Sequence, residues 1–349
     1  MATLLPAPDL DPAHDPGFEV ASARADVALR RLSGDRLGLP VERPEGSDVR
    51  VGTASWTDPT IVKGGVFYPR GTTSAEDRLR WYATNFPIVE VDSSYYSLPV
   101  RANAQLWAER TPDHFVFHLK AHALMTGQPT EVARLPELLV DALPAALAGR
   151  DRIYAKDLPP ELMNAVWESF LDACEPLRAV GKLGGILLQY PRWFLPTPEN
   201  KALLADSAER LAGIPAAVEL RNRHWFDGDI GVGRGTDWTL AMLREMGLAH
   251  VVVDGPQGLE SSVPFVSAVT TPDLAMVRLH GRRSATWEAA GVPTVERYRY
   301  LYSAEELAAL VPRVDTISAQ ARRTTVFLNN CYGNYGTTNA RELIAMLQS

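Results

Sequence analysis

The chain has 349 residues, 46% of them hydrophobic and 22% charged, which is enough for a substantial core and excludes a disordered or fibrous protein. Its net charge of −7 argues against a surface that holds nucleic acid by bulk electrostatic attraction, although a local basic cleft is compatible with it. Two cysteines, Cys174 and Cys331, are too few for a disulfide framework or a cysteine-based zinc site.

The N-terminal residues carry neither a cationic segment nor a long apolar run, and no apolar run in the chain approaches the length of a membrane span. We therefore expect a cytoplasmic protein with no membrane partner. Residues 1–48 are rich in Pro, Asp and Arg and show one short helical pattern near residues 20–32. They are predicted to form an N-terminal extension, and residues 49–349 one domain.

From Arg50 onward, short β-rich runs alternate with longer segments of helical period, which is typical of a parallel sheet covered by helices. Eight such strands favour a single (β/α)8 TIM barrel, an α/β fold, over a doubly wound sheet of five to seven strands. Ser74 and Asp77 have the spacing of a helix cap after the first strand. The predicted strands span residues 50–56, 88–92, 115–121, 185–190, 216–221, 249–254, 275–280 and 324–329.

Residues 125–183 are longer than one crossover helix requires and contain the break at Pro159 and Pro160. This segment is predicted to be an insertion after strand three. Insertions at this position often form lids or partner surfaces, but structural elaboration explains the segment equally well.

Charged and hydrogen-bonding residues recur at the ends of the predicted strands. Alternate side chains of a barrel strand share a face, so polar residues two apart lie together. The residues of this set are Glu90, Asp92, His118, Lys120, His122, Gln189, Glu219, Arg221, Asp254, Arg278, His280, Asn329 and Asn330. Burying so many polar groups is costly, so the set predicts a site at the C-terminal face of the barrel.

A purely structural role is the alternative for these residues, because charges inside a barrel often pair and hold its layers in register. Glu219, for example, can simply neutralise Arg221 or Arg278. For the set as a whole, a binding or catalytic site is the better interpretation, since seven strands deliver polar groups to one end.

The same segments resemble the YecE-like family, a group of barrel proteins also called domain of unknown function 72. The resemblance implies a barrel related in architecture to the xylose isomerase and endonuclease IV group, and it specifies no reaction. This chain departs from the family's usual residues at Asp92 (usually Asn), Gly127 (usually His), and near Tyr95 and Asn222. The matching segments are Gly52-Thr53-Ala54-Ser55-Trp56, Phe67-Tyr68-Pro69, Val89-Glu90-Val91-Asp92-Ser93-Ser94-Tyr95-Tyr96, residues 117–120, Gln189-Tyr190-Pro191, Glu219-Leu220-Arg221, Asp254, Arg278-Leu279-His280-Gly281-Arg282 and Asn329-Asn330.

The rim residues lead us to expect a hydrolase or isomerase that acts on a phosphate-bearing substrate, such as a phosphodiester or a sugar phosphate. Lys120, Arg221 and Arg278 supply cationic donors, and residues 333–337 lead into the last helix, whose first N–H groups can hold an anion. The predicted catalytic residues are Glu219 or Glu90 as general base, His280 as proton donor, and Lys120. The predicted substrate-binding residues are Trp56, Asp92, Tyr95, Gln189, Arg221, Asp254, Arg278, Asn329 and Asn330.

Three alternatives use the same rim. A glycoside hydrolase would act through the carboxylates of Glu90 and Glu219, with Trp56, Tyr95, Tyr96 and Trp225 as stacking surfaces. A non-catalytic protein would bind an anionic ligand or single-stranded nucleic acid, and its affinity would fall steeply with salt. A divalent metal held by Glu90, Asp92, Glu219, Asp254 and His280 is disfavoured by the fixed cations nearby, and a Schiff base at Lys120 is disfavoured by an ion pair there.

Overall fold

The computed structural model describes residues 16–32, 36–64, 66–147, 149–227 and 235–349. All eight predicted strands are present, with ends that differ from the prediction by two residues or fewer. We number them β1 (Asp48–Ala54), β2 (Ile88–Val91), β3 (Val116–Lys120), β4 (Leu183–Tyr190), β5 (Ala216–Leu220), β6 (Ala249–Asp254), β7 (Leu274–Leu279) and β8 (Arg323–Leu328).

The strand order makes the fold a (β/α)8 barrel. Each strand pairs with its neighbours in sequence, and β1 pairs with both β2 and β8, so the sheet closes. The doubly wound alternative is therefore wrong. Parallel registers place Gln189 of β4 beside Glu219 of β5, and Arg278 of β7 beside Phe327 of β8. A two-residue strand, Val41–Glu42, pairs in antiparallel register with Asp48 and Val49 at the start of β1.

Helices follow the strands as the helical periods predicted. Ser74 caps α3 by accepting a hydrogen bond from the backbone N–H of Asp77, which confirms the predicted cap. The helices are α1 (Pro16–Arg31), α2 (Pro59–Gly64), α3 (Ala75–Asn85), α4 (Ser93–Tyr96), α5 (Arg101–Glu109), α6 (Glu137–Asp141), α7 (Pro160–Ala179), α8 (Pro198–Arg210), α9 (Thr236–Glu245), α10 (Ser284–Trp287), α11 (Thr294–Arg297), α12 (Ala304–Ser318) and α13 (Tyr335–Leu347).

The chain divides into two compact units whose borders fall inside β2 and β6. The terminal unit comprises Met1–Val89 and Val252–Ser349, and the central unit comprises Glu90–Val251. The two units are described in turn below.

In the terminal unit, α1 packs lengthwise on α13. The ring of Phe18 is 2% exposed and lies against Tyr332 and Tyr335, with ring centroids 5.6 and 5.9 Å away. Arg24 donates from Nε and Nη2 to the two carboxylate oxygens of Glu342, both over 2.7 Å. Apolar burial and a two-pronged ion pair therefore hold α1 in place. The predicted division of the chain at residue 48 stays a prediction, and its first 15 residues lie outside the described part.

In the central unit, the predicted insertion at residues 125–183 contains two different parts. Its first part holds a short antiparallel ladder between Thr130–Glu131 and Arg152–Ile153, together with α6. Its second part is α7, a 20-residue helix that packs on α5 and connects β3 to β4. The extra structure is thus confined to the residues before Pro160, and α7 is the expected crossover helix.

Candidate functional site

Three residues of the predicted site meet in the central unit, where β2 and β3 end. The Nζ atom of Lys120 donates to Oδ1 of Asp92 over 2.7 Å and lies 4.4 Å from the ring centroid of Tyr95. Ser94 fixes this corner, because its hydroxyl donates to the carbonyl oxygens of Val91 and Lys120. An ammonium group thus sits between a carboxylate and the face of a tyrosine.

The end of β5 adds a second ion pair. Arg221 donates from Nε to Oε1 of Glu219 over 2.5 Å. The Glu219 side chain is fully buried, whereas that of Arg221 is 23% exposed. The ion pair between Glu219 and Arg221, one of the two considered from the sequence, is therefore present.

Tyr95 connects the two ion pairs electrostatically. Burial raises the pKa of its hydroxyl to about 12, the Arg221 guanidinium lowers this pKa, and the Asp92 carboxylate raises it. The hydroxyl stays protonated at neutral pH and donates to Oε1 of Gln128 over 2.9 Å. Gln128 in turn donates to the carbonyl oxygen of Gln189 over 3.0 Å. We define Asp92, Tyr95, Lys120, Glu219 and Arg221 as the Lys120 cluster.

Two further polar residues of the predicted rim, Glu90 and His118, have no exposed surface. The imidazole of His118 fills the space above Gly184, where an added Cβ atom would lie 2.3 Å from its Nε2 atom. Neither side chain is open to a substrate in this structure, which favours structural roles for both.

His122 follows β3 and is also completely buried. Desolvation lowers the pKa of its imidazole from 6.5 to about 4. The ring is only loosely bonded, with Thr130 Oγ1 at 3.5 Å and the N–H of Leu124 at 3.4 Å. The folded protein therefore keeps His122 neutral in weakly acidic solution.

We expect the free energy of unfolding to fall as the pH drops from 6.5 to 4, because the unfolded chain then binds a proton that folded His122 excludes. The loss should approach about 3 kcal/mol, since each pH unit in this window contributes at most about 1.4 kcal/mol. Urea unfolding at pH 7 and pH 4.5 measures it. A His122→Gln variant should lose less stability on acidification than the wild type, whereas a His114→Gln control at a half-exposed position should not. Equal losses in all three proteins would show that His122 is not responsible.

In the terminal unit, Asp254 at the end of β6 is the centre of a different network. Its two carboxylate oxygens accept from Nε and Nη2 of Arg282 over 2.9 and 2.7 Å, and Oδ1 also accepts from the hydroxyl of Tyr302 over 2.7 Å. Nη1 of Arg282 also donates to Oε1 of Glu306 over 3.1 Å, and the hydroxyl of Tyr300 donates to the same oxygen over 2.7 Å. These bonds favour a structural role for Asp254, which was predicted to bind substrate.

His280 and Asn329 meet in the same unit, as predicted for residues at neighbouring strand ends. The Nδ2 atom of Asn329 donates to Nδ1 of His280 over 2.8 Å, so a neutral ring carries its proton on Nε2. Trp287 and Tyr298 flank the ring, with centroids 6.2 and 6.0 Å away. His280 is thus oriented as a donor through Nε2, it is 1% exposed, and its role as a proton donor stays a prediction.

Other predicted residues are engaged inside the protein. Asn330 has no exposed surface and donates from Nδ2 to the carbonyl oxygen of Tyr300 and to Oδ1 of Asn339. Arg278 is fully buried, and Trp56 is 6% exposed. Trp225 is buried as well, so Trp56 and Trp225 offer no open ring face for a sugar, contrary to the stacking hypothesis.

The loop at residues 333–337 was predicted to hold an anion at the start of α13. The cavity beside Gly333, Gly336 and Thr337 measures about 10 Å³, room for about one water molecule. On its other side the ring of Phe18 covers Gly333, where an added Cβ would lie 2.0 Å from the ring. This cavity does not accommodate a phosphate, which argues against an anion bound in it.

Sequence reasoning missed Arg282, Tyr300, Tyr302 and Glu306 as partners of the site, and also Ser94 and Gln128. Arg282 belongs to a recognised motif, but its partner Asp254 lies 28 residues away in the sequence. Within the described ranges, no group of three or more His, Cys, Asp or Glu side chains is arranged to hold a metal ion. None of the helices in those ranges is long and apolar enough to cross a membrane.

The fold and these clusters define a TIM-barrel protein with ion pairs and hydrogen-bonded polar groups at the ends of its strands. The chain belongs to the DUF72 family, described as a protein family of unknown function, whose model matches residues 50–349. It is similar to UPF0759 protein YunF of Bacillus subtilis, with 28% identity over 302 residues that cover 86% of this chain and 94% of that protein.

Two crystal structures of DUF72 family proteins are similar to this chain. The one from Thermotoga maritima is 29% identical, with a TM-score of 0.67, and the match covers 86% of this chain and 99% of that one. One from Enterococcus faecalis is 27% identical, also with a TM-score of 0.67, and covers 86% of this chain and 96% of that one. These structures support the barrel.

Proposed function

We propose that this protein is an enzyme, a hydrolase or isomerase, that acts on a phosphate-bearing substrate, and that Lys120 and Arg221 bind the phosphate. The observation that carries the proposal is the state of Lys120. Its ammonium group has three N–H donors, the residue is 7% exposed, and in the described part of the chain Asp92 is its one hydrogen-bond acceptor. Donors buried in this way are costly unless a ligand or water completes their bonds, and an anionic ligand does so with opposite charge.

Arg221 provides the second contact for the anion. Its Nε atom is held by the buried carboxylate of Glu219, which fixes the plane of the guanidinium group. A planar guanidinium donates two parallel hydrogen bonds to phosphate oxygens, and Lys120 supplies a point charge. Both cations influence Tyr95, one through its ring and the other through its hydroxyl. A phosphate bound beside Tyr95 would therefore meet two cationic groups.

This arrangement changes the roles first predicted for the carboxylates. A general base must come within hydrogen-bond reach of the substrate. Glu219 has no exposed surface and is bonded to Arg221, so it positions that residue. The Asp92 side chain is 30% exposed, and we assign it the role of general acid or base.

The glycoside hydrolase alternative receives less support. Such enzymes need two carboxyl groups that reach the sugar on either side of the scissile bond. Glu90 and Glu219, the predicted pair, are both fully buried. A single-stranded nucleic acid remains the alternative ligand, and a steep loss of affinity with salt would identify it.

The test combines a ligand screen with one variant of the cluster. Sugar phosphates and bis(4-nitrophenyl) phosphate are screened by thermal shift and then for turnover. A ligand at about 100 times its Kd should stabilise the protein by about 2.7 kcal/mol. In a Lys120→Met variant, kcat/KM should fall by about 100-fold, corresponding to about 2.7 kcal/mol of lost transition-state stabilisation.

The matched control is Lys201→Met in the same unit, because Lys201 lies over the ring of Trp238, which is not a residue of the cluster. Its kcat/KM should equal that of the wild type. If no phosphate compound stabilises the wild type, or if Lys120→Met and Lys201→Met behave alike, the proposal is wrong.

A further inference from the structure

The terminal unit contains a groove of about 670 Å³ that shares no residue with the Lys120 cluster. This volume lies within the usual range for small-molecule sites, about 300–1,000 Å³. One wall is formed by Arg283, Arg299 and Tyr300 after β7, and by Tyr335 at the start of α13. The facing wall is formed by Gly17 and Val20 of α1. We call it the α1 groove.

The charge of the α1 groove is positive. Its lining residues include two arginines and no acidic side chain. Arg283 and Arg299 share one carboxylate behind the wall, that of Glu296, at 3.0 and 3.5 Å from Nη1 of each. Their side chains are 33% and 35% exposed. The surface of the groove therefore attracts an anion.

The other lining residues are a glycine, a valine, a leucine and two tyrosines. Arg299 lies 4.6 Å from the ring centroid of Tyr332, and Tyr300 packs edge-on against Tyr302 at 5.1 Å. Val20 is 52% exposed although it belongs to a helix whose other face is buried. Rigid aromatic walls beside an exposed valine suit a flat apolar group at little cost in conformational entropy.

The α1 groove depends on a part of the chain outside the family match. Gly17 and Val20 precede residues 50–349, to which the family model corresponds. Arg24 holds α1 in register with the other wall, because its Nη2 atom donates both to Glu342 and to the carbonyl oxygen of Tyr302. The extension thus adds a wall that the barrel by itself does not supply.

We propose that the α1 groove is a second binding site, which takes a small organic anion: a phosphate or carboxylate carried on a flat apolar group. Arg283 and Arg299 bind the anionic group through charge-assisted hydrogen bonds. The apolar group lies against Tyr300, Tyr335 and Val20. Part of the site's lining comes from this chain's extension, and the site shares no residue with the phosphate site proposed at Lys120.

Titration calorimetry of the full chain with phenyl phosphate tests the proposal, with inorganic phosphate and phenol as control ligands. Phenyl phosphate should bind more tightly than either control. Val20→Glu, which places a negative charge in the groove at an exposed helical position, should weaken binding by about tenfold or more. Val27→Glu is the matched control, because Val27 is 42% exposed on the same helix and does not line the groove.

Binding should survive in Lys120→Met, which separates this site from the Lys120 cluster, and it should be lost when Arg283→Gln and Arg299→Gln are added to that variant. Four outcomes would each overturn the proposal: no binding to the wild type, equal affinity in Val20→Glu and Val27→Glu, equal affinity for phenyl phosphate and inorganic phosphate, or loss of binding in Lys120→Met.

Discussion

Replacing Gly52 with alanine is expected to reduce the free energy of unfolding by about 4 kcal/mol or more, one of the larger effects of a single substitution. An added Cβ atom at this position in β1 would lie 2.1 Å from the carbonyl oxygen of Ile88 in β2. The obstacle is backbone, so no side chain can rotate to make room. Thermal unfolding should show a decrease in Tm of about 5 °C or more.

The control for Gly52 is Gly255, at the end of β6. An added Cβ atom there meets no atom within 4 Å. Gly255→Ala should therefore change the Tm by no more than about 2 °C. Equal stability of Gly52→Ala and Gly255→Ala would contradict the conclusion that the Ile88 carbonyl oxygen leaves no room for a Cβ atom at residue 52.

Removal of the Asp254 carboxylate is expected to cost about 3 kcal/mol, because it leaves buried partners without their acceptor. The side chain of Asp254 is 6% exposed and accepts hydrogen bonds from Arg282 and Tyr302. Without it, the Tyr302 hydroxyl loses the partner at 2.7 Å, and Arg282 retains Glu306. Urea unfolding of Asp254→Ala measures the change.

An exposed ion pair serves as the comparison for Asp254. Asp172 pairs with Arg101 over 2.8 Å, and the two side chains are 64% and 51% exposed. Solvent screens such a pair, so Asp172→Ala should cost less than about 1 kcal/mol. Equal costs for the two substitutions would contradict the structural role of the Asp254 network.

The strands were predictable because β-rich runs were bounded by turn residues. Several strand ends were misplaced by one or two residues, and the structure gives the physical reason for two of them. Strand β1 ends at Ala54 and not at Trp56, because Ser55 takes a left-handed backbone conformation with a φ of 89°. A serine gives no sign of this in the sequence. Strand β4 begins at Leu183, two residues early, because it includes Gly184, which leaves space for His118.

For the candidate site, the rule that side chains two positions apart in a strand share a face correctly grouped Glu219 with Arg221. This rule depends only on strand geometry. It gave no indication that Glu219 would be fully buried while Asp92 stays partly exposed. It also missed the bond from Asp254 to Tyr302, which joins residues 48 apart in the sequence. Burial and long-range partners depend on how the elements pack, and spacing within one strand does not contain that information.

The packing of α1 shows that the folded unit includes residues that precede the family match. Similarity to relatives places the border at residue 50, but Phe18 and Arg24 stand before that border and pack on residues near the other end of the chain. A protein shortened to residues 50–349 would expose the rings of Tyr332 and Tyr335 to solvent. Glu342, whose side chain is 10% exposed, would lose its hydrogen bonds to the guanidinium group of Arg24. The family match and the packing of the folded chain therefore have different borders: the match begins at the barrel, while in this chain α13 packs against α1, which precedes it.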